Sequence, residues 1–89
     1  MNIEEIEHFL DKKISVEQRY VKINFKNRDA VFGMFVKEKD YSHLKSKNFW
    51  RIVTHTHFAE YNKTPDPELV RIFSGSAFSK LSLCKEGDY

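Results

Sequence analysis

The stretch RIFSGSAFSKL, residues 71–81, sets two apolar runs on either side of a single glycine near the end of an 89-residue chain. Val70, Ile72 and Phe73 on one side, and Phe78, Leu81 and Leu83 on the other, have the composition of strands. Only Ser-Gly-Ser separates them, which leaves room for a sharp corner and nothing longer. Glycine suits such a corner because it reaches unusual backbone conformations at little cost. The chain is therefore expected to end in two strands joined directly at Gly75.

Upstream of this corner, NKTPDPE (62–68) reads as a loop, because Pro65 and Pro67 are unsuited both to a helix interior and to a central strand. FWRIVTHTHFAEY (49–61) is rich in strand formers, and the polar, basic KEKDYSHLKSKN (37–48) reads as a loop. AVFGMFV (30–36) is apolar on both faces, so it is expected to be a strand covered on both sides, with Gly33 marking strong bending or the close approach of a neighbour. Part of that cover, over Phe32, Met34 and Val36, is assigned to the N-terminal helix. Trp50 and the remaining apolar surface are equally suited to meeting another subunit. Val21, Ile23 and Phe25 alternate with Lys22, Asn24 and Lys26, the period of a half-buried strand, and KNRD (26–29) supplies the turn that follows.

At the start, Asn2 and Glu5 have capping-box spacing, Ile3, Ile6, Phe9 and Leu10 recur at helical intervals, and Lys12 and Lys13 fill the last turn. A helix of about three turns is unstable alone and must dock its apolar stripe. The whole is one domain, with a helix over 2–13, a small β-structure over 19–83 and a flexible polar tail over 84–89. Five bent strands in so short a chain are expected to close into an SH3-like or Sm-like barrel, since closure removes edges that would otherwise face water.

Composition narrows the function. A domain this size buries only about 60% of the surface its unfolded chain exposes, so eight Phe, four Tyr and one Trp carry much of the core. No apolar run reaches the roughly 18–20 residues of a membrane span. The lone Cys84 excludes an internal disulfide, and MNIEEIEHFL has acids where a secretion signal carries bases, so a cytoplasmic location is expected. The net charge of +2 is unevenly spread: −3 over residues 1–18, +6 over 19–51 and −1 over 52–89. Only the middle third can present a positive face to phosphates.

Two stretches also resemble the Sm-like family of small barrels. VKINFKNRDAVFGMF is similar to the first Sm motif, with Gly33 in the second strand and Phe35 two residues later. VRIFSGSAF through Leu81 is similar to the second, with Val70, Ile72, Gly75, Phe78 and Leu81 in place. The resemblance implies a bent five-stranded barrel whose fourth and fifth strands join neighbours into rings, hence a homo-oligomer. In that family the loop after the second strand carries an aspartate, a base-stacking aromatic and an asparagine. Counted from Gly33, these positions are Lys39, Tyr41 and His43. The arginine that usually precedes the second glycine is Ser74 here. The departures at Lys39 and Ser74 weaken the implication of RNA recognition and leave the barrel and ring untouched. An SH3-like barrel of another kind shares the same layout.

Read from the residues themselves, Lys37, Lys39, Tyr41, His43, Lys45 and Lys47 combine charge for a phosphate backbone with a ring for a base. The plainer account is a solvated loop. Lys22, Lys26 and Arg51 are candidates to extend such a groove. His55 and His57, two apart on an expected strand, would face the same way with Glu60 nearby, but four ligands for a structural zinc are not at hand, and no metal or other cofactor is expected. Cys84 has no rigid setting to act as a nucleophile, and the isolated glycines form no phosphate loop. The expected function is therefore non-enzymatic: a self-associating barrel contacting single-stranded RNA, or alternatively a protein-interaction module working by strand addition.

Overall fold

Helix α1 (Ile3–Lys13) starts with the capping box its sequence predicts: Glu5 N–H donates to Asn2 Oδ1 at 2.8 Å, and Asn2 N–H to Glu5 Oε1 at 3.0 Å, in a computed structural model that describes residues 1–89. Its buried face, Ile6 and Leu10, lies on one side of a five-stranded antiparallel sheet. The strands are β1 (Val21–Phe25), β2 (Val31–Phe35), β3 (Phe49–Thr54), β4 (Arg71–Ser74) and β5 (Phe78–Leu83). Their order across the sheet is β4-β3-β2-β1-β5. No helix is long and apolar enough to cross a membrane.

The expected closed barrel does not form. β4 pairs only with β3, and β5 only with β1, so the sheet is open with an unpaired edge at each end. A three-residue 3-10 turn, Gly75–Ala77, redirects the chain from β4 to β5 without pairing them. Aromatic side chains span the gap instead: Phe25 of β1 stands 6.0 Å from Phe73 of β4 and 5.4 Å from Phe78 of β5, measured between ring centroids. A four-residue β4 is too short to offer a longer ladder.

The period of β1 is as expected, with Val21 and Ile23 fully buried and Lys22 exposed. These two residues join Ile6, Leu10, Trp50, Ile52, Phe78 and Leu81 in the main core beneath α1. Trp50 is thus a core residue of this chain and is not free to meet a subunit. The other face of β2 and β3 has a cover that the sequence did not suggest. β3 stops at Thr54, residues 55–57 form a 3-10 turn, and α3 (Phe58–Lys63) folds back so that Phe58 packs on Met34 and Val53, with Val36 beside them. Met34 and Val36 are therefore covered by α3 and not by the N-terminal helix. α3 ends where Thr64 turns extended, as the residue before Pro65 is pushed to do.

The segment 37–48 is likewise not a plain loop, since α2 (Tyr41–Ser46) occupies half of it. Asn48, in the left-handed region at φ 62°, ends α2 and turns the chain into β3. Around it the two ends of the fold are tied together. Gly75 N–H donates to Asn48 O at 2.8 Å, the Trp50 indole to Asn48 Oδ1 at 2.8 Å, and Asn48 Nδ2 to Met1 O at 3.1 Å. The Met1 nitrogen donates to Gly75 O and Phe78 O at 3.1 and 2.7 Å.

This knot changes the reason for Gly75. Its backbone is not in the left-handed region. A Cβ there would collide with Asn48 Oδ1 and stand 2.5 Å from Ile6 Cδ1 and 2.8 Å from Trp50 Nε1. Lack of a side chain, not backbone freedom, is what the corner requires. Gly33 follows the same rule within β2, where a Cβ would lie 2.6 Å from Ile52 Cγ2 and 3.3 Å from Val53 O. It marks a close approach inside a strand and not a turn.

Residues 84–89, expected as a flexible tail, contain no helix or strand. Cys84 N–H donates to Tyr20 O at 2.9 Å, and the Tyr89 ring sits 5.2 Å from Phe58 and 5.5 Å from His55.

Candidate functional site

α2 decides how the basic segment is presented. Its first residue, Tyr41, turns inward, is partly buried, and meets Trp50 edge-on at 6.1 Å. Burial of the ring, with Glu7 nearby, raises the pKa of its hydroxyl. The ammonium groups of Lys37 and Lys45 lie 5.0 and 5.7 Å from the ring centroid. An ammonium so placed contributes about 0.5–1 kcal/mol at an exposed site. Lys45 is also held by Glu7 of α1 at 2.5 Å, and that hydrogen bond raises its pKa. Half of the charge beside Tyr41 is therefore already neutralised within the chain.

The other expected residues separate. Lys39 lines an open groove of about 370 Å³ with Glu38, Asp40, Arg51, Pro67 and Val70. Within it Arg51 grips Asp40 through Nε at 3.0 Å and Nη2 at 2.6 Å. That two-pronged bond holds the Asp40 carboxyl below its usual range and lifts the guanidinium further above its own. It also explains why Asp40, at the start of α2, makes no side-chain cap. Arg51 is thus engaged inside the chain and does not extend a free basic groove. His43 and Lys47 are exposed on or just beyond α2, and Lys22 and Lys26 are exposed near β1. Ser74, at the position of the family's arginine, shares a hydrogen bond with Ser76 at 2.8 Å.

The paired histidines do not face one way. They lie in the 3-10 turn, where three residues complete a circle and positions two apart diverge. His55 meets Phe32 edge-on at 6.2 Å, while His57 Nδ1 lies 3.5 Å from Glu60 Oε1 without a hydrogen bond. No three His, Cys, Asp or Glu side chains gather as a metal site would need. Burial raises the pKa of the Cys84 thiol, with Asp88 adding to it, the reverse of what an activated nucleophile requires.

The features that most distinguish the surface are the two free edges. On the outer side of the β3–β4 pair, Ile72 is 51% exposed and Phe49 38%. Ile72 stands opposite Arg51 and Phe49 opposite Ser74, which makes the two apolar residues diagonal neighbours on one face. At the far end of the sheet β5 presents Ser79 and Lys80 to solvent. The signal for the β4 patch was present in LVRIF. Its exposure follows from the reach of α3, whose cover over Met34 and Val53 does not include Ile72 or Phe49. No protein-family model, curated protein or solved structure matches the chain.

Proposed function

We propose that the chain is a non-enzymatic assembly module of the Sm-like kind, working in the cytoplasm, in which β4 of one copy pairs with β5 of the next. The observation that carries this reading is the strand order, which leaves one ladder of unpaired N–H and C=O groups on each side of the sheet. Such edges invite pairing with another chain unless they are blocked. β4 adds the half-exposed Ile72 beside Phe49, and neither edge strand contains proline. Head-to-tail pairing of two different edges generates a ring when the rotation closes.

Sedimentation velocity tests this. The wild-type protein is expected to run as an oligomer larger than a dimer. Ile72→Asp, at a residue the fold already leaves half in water, is expected to remain folded and to weaken association about 10- to 100-fold. Burying an isoleucine side chain contributes about 1.5–3 kcal/mol, and each 1.4 kcal/mol is tenfold in affinity. A wild type that stays monomeric at high concentration removes the ring and leaves strand addition from a different protein as the use of the edge.

The setting of Tyr41 favours RNA contact as a second reading. Lys37 stands over the ring, and Lys39, His43 and Lys47 are exposed nearby in sequence. Single-stranded oligouridylate is expected to bind with an affinity that falls as salt is raised. Tyr41→Leu preserves most of the packing on Trp50 and removes the stacking surface. A loss of about 1–3 kcal/mol per base, roughly 5- to 150-fold, is expected. Absence of binding at low salt, measured by fluorescence anisotropy, discards this reading and leaves assembly intact.

A further inference from the structure

A groove of about 540 Å³ lies at the C-terminal end of β2, between the linker that joins α1 to β1 and the helix α3. Its size falls in the range of small-molecule sites, about 300–1,000 Å³. Its apolar lining comes from Phe35 at the end of β2, Val36 just beyond it, Ile14 of the linker and Tyr61 of α3. The charged residues lining it are Arg19 and Lys37, both basic, and neither pairs with a carboxylate. Burial, with Glu38 adding to it, raises the pKa of the Tyr61 hydroxyl, and Glu38 itself lines the groove that holds Arg51.

Two further features point to a ligand. Val16 stands at the rim 90% exposed, an apolar side chain left in water on a segment without helix or strand. Arg19 Nη2 donates to Asn62 Oδ1 at 3.0 Å, which fixes the guanidinium across the groove from linker to α3 while leaving its other donors free. A positive rim over an apolar floor calls for the complementary molecule, a negative head on an apolar stem. We propose that this groove binds a single-chain carboxylate amphiphile, its head held by Arg19 and Lys37 and its stem laid along Ile14, Val36 and Tyr61 beside Val16. A guanidinium matches a carboxylate through two parallel hydrogen bonds. Covering apolar stem surface supplies about 25 cal/mol per Å² removed from water. The site is separate from both sheet edges, so it stands whether or not copies assemble.

The test is a titration of the ¹⁵N-labelled full chain, followed by amide chemical shifts, with sodium decanoate kept below its micelle concentration. Decanoate is expected to move the amides of Val16, Arg19, Val36, Lys37 and Tyr61 in a saturable way. Butyrate, with the same head and little stem, and decyltrimethylammonium, with the same stem and the opposite charge, are expected to bind at least tenfold more weakly. Arg19→Glu combined with Lys37→Glu is expected to weaken decanoate binding at least tenfold while the protein remains folded, and the corresponding Gln pair gives the same answer should the Glu pair unfold. Failure of decanoate to bind, equal binding of the cationic amphiphile, shifts mapping elsewhere, or full affinity in a folded double variant would each overturn the proposal.

Discussion

Alanine at position 75 is expected to lower the melting temperature by about 10 °C or more, although the substitution adds a single methyl group. The corner backbone accepts alanine, so the whole effect is steric. The methyl would fall among Asn48 Oδ1, Ile6 Cδ1 and Trp50 Nε1. Overpacking of this kind costs about 1–3 kcal/mol. Displacing Asn48 also deprives the buried Trp50 indole of its acceptor, which costs about 1–3 kcal/mol more. For a domain of this length each kcal/mol moves the midpoint by about 4–8 °C. Thermal denaturation followed by circular dichroism measures the change. Ile6→Val removes the colliding Cδ1, so combining it with Gly75→Ala is expected to cost less than the two changes summed. Such coupling is the mark of a shared contact. A Gly75→Ala variant melting within about 3 °C of the wild type would show that the knot around Asn48 does not hold α1 to the β4–β5 corner.

How far the molecule could be read from its sequence depended on the range of the interactions involved. The Asn2 and Glu5 cap, the alternation at Val21 and Ile23, and the five strands were legible because neighbouring residues determine them. α2 was missed although its signals were local: Asp40 precedes it and Asn48 closes it, a start and stop pair that the density of lysines concealed. α3 was missed because FWRIVTHTHFAEY has the composition of one long strand. Pro65, shortly after the last helical residue, was the available hint of a helix end. Barrel closure failed as an expectation because pairing of β4 with β5 is a question of where the Gly75–Ala77 turn aims the chain, which composition does not encode.

The candidate sites divide in the same way. The sequence marked Tyr41 and the lysines around it but could not show that Lys45 is taken by Glu7, 38 residues away, or Arg51 by Asp40, because those pairs exist only once α1 and α2 dock on the sheet. The amphiphile groove was invisible for the same reason. Its linker, strand and helix come from three separate stretches, and one of its walls is α3, whose residues have the composition of a strand.

Removing the Phe58 ring is the sharpest test of that unforeseen outer layer. Phe58 is 4% exposed, packs on Met34 and Val53, and stacks with Tyr20 at 4.4 Å between nearly parallel rings. Truncating a buried phenylalanine to alanine costs about 3–5 kcal/mol. A small domain has only about 5–15 kcal/mol in all, and one this short belongs near the lower end. Phe58→Ala is thus expected to lower the melting temperature by about 15 °C or more, with hydrogen exchange rising first at the β2 and β3 amides under α3. Phe58→Leu keeps most of the apolar volume and is expected to cost less than about 2 kcal/mol, which separates loss of cover from loss of the aromatic stack. Were Phe58→Ala to melt within about 5 °C of the wild type, α3 would be an ornament on a sheet that is stable with one face in water. The floor of the groove would then lose its fixed wall, since Tyr61 is held in place by the same helix.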